Sequence, residues 1–210
     1  MAQVIQASEL TLSEVEDQFN LRPIFDDPSF FQEWQEHLAE LDASEKQTLD
    51  RVKTEFLYLN KYPMLEDLVK MVVLSPLLSL AGFYRPPIRP VLEKRVDVAL
   101  KDGETTAWGR IDILALQRRV WVAVIESKQA GFSLKNALAQ ALFYMMANPD
   151  ALQPTFGFVT NGSHFTFIKL LPGDPPCYSF STEFSLFRPE NELYPVLRIL
   201  QRLTQLATGN

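Results

Sequence analysis

The stretch WGRIDILALQRRVWVAVIESK, residues 108–128, decides how the chain is read. Two apolar runs flank the polar turn Gln117-Arg118-Arg119, and both are rich in β-branched and aromatic residues, which favour strands. Each run carries charge where a core strand should not. Asp112 sits between Ile111 and Ile113. A carboxylate buried there is costly unless it is paired or bound to a metal. The second run, Val120 to Ile125, ends in Glu126-Ser127-Lys128. Glu126 and Lys128 are two residues apart, so on a strand they share a face. With the turn centred near Arg118, Asp112 is expected opposite Val124 or Ile125 and diagonal to Glu126. Two carboxylates and one ammonium should then converge at one end of a hairpin.

The elements around this hairpin follow from period and punctuation. Val91 to Leu100 reads as a strand, Lys101-Asp102-Gly103-Glu104 as a turn with the Asp-Gly signal, and Thr105 to Leu116 as its partner. With Val120 to Lys128, these give an expected meander of three antiparallel strands. A helix from Leu134 to Ala147 should follow, ended by Asn148-Pro149. Thr155 to Thr160, the turn Asn161-Gly162 and His164 to Leu170 form a second hairpin. Upstream, Pro63 opens a helix from Met64 to about Leu74, with Glu66 and Asp67 in its first turn, where acids complement the helix dipole. Ser75-Pro76 should kink it and Gly82 should end it.

Residues 1–60 read as an acidic, helical N-terminal extension. Asp27-Pro28-Ser29 is a start signal for a helix with Phe30, Phe31, Trp34, His37, Leu38 and Leu41 at helical spacing; Ser44 with Gln47 suggests a capping box for the next. A final helix is expected from Asn191 to Leu206. The expected organisation is therefore a helical extension, 1–60, followed by an α/β domain, 61–210.

Composition narrows the function. The 210 residues are 47% hydrophobic, enough for one sizeable core. A single cysteine, Cys177, excludes an internal disulfide framework and fits a reducing cytoplasm. Two histidines, His37 and His164, leave little room for His-based zinc sites or a Ser-His-Asp triad. Neither a leader-like N-terminus nor a membrane-length apolar run is evident. Net charge is −6, but residues 1–84 carry −9 and residues 85–135 carry +4. The basic segment is the one that holds the hairpin, which keeps a nucleic-acid partner in play.

Two close carboxylates repel unless a cation lies between them. Mg²⁺, or Mn²⁺ in its place, favours a pair of carboxylates with waters and a backbone carbonyl. A lysine beside such an ion could stabilise charge on a phosphorane. The set suits phosphodiester hydrolysis without histidine.

Asp112 followed by Glu126-Ser127-Lys128 resembles the D…(D/E)xK signature of the PD-(D/E)xK nuclease superfamily, whose fold is restriction-endonuclease-like. Gln140-Ala141-Leu142-Phe143-Tyr144 on the next helix is similar to a QxxxY motif, and Thr160-Asn161-Gly162 resembles a hairpin turn in the N-terminal nuclease domain of type I restriction R subunits. Order and spacing agree from about Glu66 to Leu170. The resemblance implies an α/β (α+β) core with a mixed central sheet, Asp112 and Glu126 as metal ligands with the carbonyl of Ser127 beside them, and Lys128 as the catalytic lysine. It puts Gln140 at the rim of the site, with Tyr144 supporting it or meeting the DNA backbone. It also implies a helix-borne third carboxylate, Glu66, with Glu55 as substitute. Arg110 and Lys135 would meet phosphates, together with Arg85, Arg89, Lys94, Arg95, Arg118 and Arg119. Ile111 replaces the proline of the signature. No G-x-x-x-x-G-K-[ST] loop is present, so specificity or motor functions would belong to separate subunits. DNA is the expected substrate, and a homodimer would present two sites to two strands. Two readings compete with a nuclease: structural ion pairs (Asp112 with Arg110 or Lys128, Glu126 with Lys128), and a nucleic-acid-binding or partner-dependent regulatory module that keeps the fold without turnover.

Overall fold

A computed structural model describes residues 3–25, 27–36, 38–62, 66–99, 105–116, 120–124, 134–146 and 152–208. The predicted strands are present over the described residues, with residues 125–128 of the third lying outside them. They are β3 (Arg89–Ala99), β4 (Thr105–Leu116), β5 (Val120–Val124), β6 (Thr155–Thr160) and β7 (His164–Leu171). Strands β3 and β4 pair antiparallel over their length, Arg89 opposite Leu116 and Ala99 opposite Thr106. β6 and β7 form the second hairpin, Thr155 opposite Leu170 and Thr160 opposite Phe165.

β5 runs beside β4, as the expected meander requires, and pairs in parallel with β6, from Val120 opposite Phe156 to Val124 opposite Thr160. The helix between β5 and β6, α4 (Leu134–Met146), makes this connection a crossover, which is what parallel neighbours require. Shorter strands complete the sheets. Cys177–Phe180 (β8) pairs with β7, and Phe184–Ser185 (β9) pairs with the start of β7. With Gln3–Gln6 as β1 and Arg22–Pro23 as β2, the described residues order β1-β4-β3 in one sheet and β2-β8-β7-β6-β5 in the other.

The first two strands of these orders correct the all-helical reading of residues 1–60. Gln3–Gln6 (β1) lies parallel to β4, and Arg22–Pro23 (β2) lies parallel to β8. Between them, α1 (Leu12–Phe19) is closed by a capping box in which Thr11 and Glu14 exchange bonds. Asp27 starts a helical segment as expected, but it is a 3₁₀ turn, Pro28–Trp34, kinked at Phe31. The next helix, α2 (Ala43–Leu59), is capped by Asp42 with Glu45, not by Ser44 with Gln47.

Helix α3 joins Glu66–Val69, the π-helical turn Lys70–Leu74 and Ser75–Leu80 without a break. Pro76 is accommodated because the π turn widens the helix just before it, and its missing N–H falls at the start of the following α segment. The last helix is α5 (Leu193–Thr208).

Helices cover both faces of the β6–β7 hairpin. On one side Phe156, Phe158, Phe165 and Phe167 pack with α2, α3 and α5. On the other, Val159, Ile168 and Leu170 pack with α1 and α4. Helices on both faces explain why β6 is buried at every position, with Phe156 and Phe158 on one face and Val159 on the other, instead of alternating between buried and exposed. This mixed α/β arrangement is consistent with the restriction-endonuclease-like fold. Among the described residues no helix is long and apolar enough to cross a membrane.

Candidate nuclease site

The sequence-predicted site residues fall into two groups. Glu126, Ser127, Lys128, Arg118 and Arg119 lie outside the described residues. Asp112 and Arg110 are placed by backbone in β4, Glu66 at the start of α3 and Lys135 in the first turn of α4; their side chains lie outside what the structure describes. Asp112 stands between Ile111, which pairs with Lys94, and Ile113, which pairs with Leu92.

Gln140 and Tyr144 are fully described. Four residues apart on α4, they share a helix face. Gln140 Nε2 donates to the Tyr144 hydroxyl at 2.6 Å. Tyr144 is only 2% exposed, in the cluster that holds Ala107 of β4, with its ring 5.8 Å from Phe143. Of the two expectations for Tyr144, its burial and its bond to Gln140 fit the support of Gln140 better than a contact with a DNA phosphate. Sequence gave the spacing of the pair; only packing shows that one member is buried and the other sits nearer the surface.

The Thr160-Asn161-Gly162 turn ties two parts of the site together. Asn161 Oδ1 accepts from the backbone N–H groups of Ser163 and His164, and Thr160 Oγ1 accepts from the N–H of Gly162. These bonds hold a turn whose glycine has φ +88°, the left-handed region. A Cβ at Gly162 would collide with the Val69 side chain of α3. The turn therefore seats directly on α3, three residues after Glu66. Thr160 is also the neighbour of Val124, the last residue of β5 before the Glu126 segment. One turn thus joins the exit of β5 to the helix that begins at Glu66. Glu55 is instead an exposed residue of α2.

Among the basic residues, Arg85 is exposed. Arg95 is engaged: its guanidinium binds Asp97 at 2.8 Å and lies 4.9 Å from the centre of the Trp108 ring. Asp97 is in turn the ladder partner of Trp108, so the three form one surface cluster. The ion pair is solvent-exposed and of small energetic weight. Among the described residues no three His, Cys, Asp or Glu side chains gather as a metal site.

Two buried polar groups outside this region join the N-terminal segment to the sheet. Tyr178 of β8 donates to Glu16 of α1 at 2.5 Å; burial, then this bond, pushes its phenol well above the ordinary value of 10.0. Lys169 of β7 is buried against Glu33 and the Phe30 carbonyl.

In comparison with known proteins, the family model described as "Type I restriction enzyme R protein N terminus" matches residues 14–175. The match begins inside α1, well before the Glu66 at which the sequence resemblance starts. No curated protein matches the chain.

Proposed function

The chain belongs to the family of the type I restriction enzyme R protein N-terminus, and on that premise we propose that this nuclease-like domain is a divalent-metal-dependent deoxyribonuclease. The observation that carries the proposal is the span of the family match, which includes Asp112, Glu126, Lys128 and Gln140 together. Asp112 and Glu126, with the Ser127 carbonyl, are a set of hard oxygen donors of the type Mg²⁺ takes. When bound, such an ion would make a water more acidic and offset negative charge on the phosphorane. Lys128 would place its ammonium against the same developing charge, which such a group stabilises more in the transition state than in the ground state. Gln140, held by Tyr144, would orient the water or the ion's ligands. Glu66 is supported as the third carboxylate by the seat of the Thr160–Gly162 turn on α3. Arg110, Lys135 and Arg85 would contact phosphates and give binding a steep salt dependence. Beside DNA, other subunits of a complex are the partners that this family membership favours.

Cleavage of plasmid and single-stranded DNA with Mg²⁺ or Mn²⁺ tests this reading. Asp112→Ala and Lys128→Ala should each lose on the order of 100-fold or more of the activity. Equal activity in wild type and both variants refutes the assignment. DNA binding that requires the metal and is lost in Asp112→Ala, without cleavage, favours the regulatory module.

A further inference from the structure

Gly109 of β4 is three residues before Asp112 and has no assigned role. It is buried and faces α4. A Cβ built on Gly109 would lie 2.8 Å from Tyr144 Cε1 and 2.9 Å from Cζ, and closer still to the hydroxyl. Ordinary contact for such atoms begins near 3.4 Å. The backbone at Gly109 is an ordinary strand conformation, so the chain itself would accept alanine; the obstacle is the phenol. The other buried residue on this stretch of the strand, Ala107, is also small and belongs to the same cluster as Tyr144. β4 therefore offers α4 a shallow seat, and the Tyr144 hydroxyl rests in it while accepting from Gln140.

We propose that Gly109 is a positioning residue for the nuclease reaction: the space left by its missing side chain seats Tyr144 against β4 and thereby fixes the Gln140 amide relative to the Asp112 strand. This rests on the nuclease reading above. The coupling runs through a rigid path. Gly109 and Asp112 share one strand, Gln140 and Tyr144 share one turn of helix, and the Tyr144 phenol is a point at which the two elements meet. A methyl group at 109 must push the phenol away by roughly 1 Å, and a misplacement of that size in a positioning group costs on the order of 100-fold in rate.

The experiment compares wild type, Gly109→Ala, Tyr144→Phe, the double variant and Gly157→Ala, each checked by thermal unfolding. Gly157→Ala is the packing control, because its Cβ meets Met145 Sδ, on the same helix, at 2.8 Å. Thioether side chains yield easily. Gly109→Ala should lower kcat on the order of 100-fold with KM for DNA unchanged. The double variant should be little worse than Tyr144→Phe alone, because removing the hydroxyl removes the nearest clash and the hold on Gln140 together. A second readout does not depend on cleavage. The Gln140 side-chain amide should give a distinct resonance in wild type, and that resonance should move to the free-amide position in Gly109→Ala and Tyr144→Phe. Wild-type activity in Gly109→Ala, strictly multiplicative losses in the double variant, or an equal kcat loss in Gly157→Ala would each overturn the proposal. An unmoved Gln140 amide would do the same even if the wild-type chain fails to cleave, a failure that would refute the nuclease reading separately.

Discussion

Removing Glu33 should destabilise this protein far more than removing the lysine it serves. Lys169 lies on β7 with its side chain 8% exposed, and its ammonium meets Glu33 at 2.6 Å and the Phe30 carbonyl at 2.7 Å. It also lies 5.3 Å from the Phe30 ring. Breaking a buried pair by deleting one partner costs about 3–5 kcal/mol, because a desolvated charge is left behind. Glu33 is 21% exposed, so water can partly replace it, and the Phe30 carbonyl and ring remain. The expectation for Glu33→Ala is therefore reduced to about 2–3 kcal/mol. For a chain of this length each kcal/mol moves Tm by about 2–4 °C, giving a fall of roughly 4–12 °C. Lys169→Met removes the buried charge and keeps much of the stem's packing. Glu33 can then turn to solvent, and the change should be neutral or stabilising by up to about 1 kcal/mol. Urea titration and calorimetry of both variants and of the double variant provide the measurement. A cost below about 1 kcal/mol for Glu33→Ala, or an equal cost for Lys169→Met, would refute the claim that Lys169 is desolvated and held by Glu33.

Gly162→Ala should cost about 2–4 kcal/mol, combining left-handed strain with overpacking against Val69. Adding Val69→Ala should restore the overpacking part and leave the strain, as measured by denaturant midpoints. Tyr178→Phe should cost about 1–2 kcal/mol by removing the bond to Glu16. The Tyr178 phenol is raised in the fold, so its contribution is complete below pH 10 and is lost as pH rises beyond that value; the wild-type advantage over Tyr178→Phe in alkaline unfolding should shrink there. Asp42→Ala should cost about 1 kcal/mol by uncapping α2, whereas Ser44→Ala should be close to neutral.

The local sequence determined those features whose cause is local. β4 and β6 lie where their β-branched and aromatic residues predict strands, and α4 follows from its periodicity. The i, i+4 spacing of Gln140 and Tyr144 was enough to put them on one helix face. Asp112 within an apolar run marked the strand that carries the candidate site. The tertiary structure decided what depends on distant partners. Strands of two to four residues such as β1, β2, β8 and β9 are too short to show a period, and they exist because β4, β7 and β8 offer them open edges. The parallel pairing of β5 with β6 is set by the crossover through α4, which no pattern within either strand encodes. A π turn ahead of Pro76 is likewise invisible to helical periodicity. Tyr144 illustrates the division most plainly. Sequence placed it beside Gln140, and only the approach of α4 to Gly109 shows that it is buried, because whether a phenol meets solvent or strand depends on the space a neighbouring strand leaves for it.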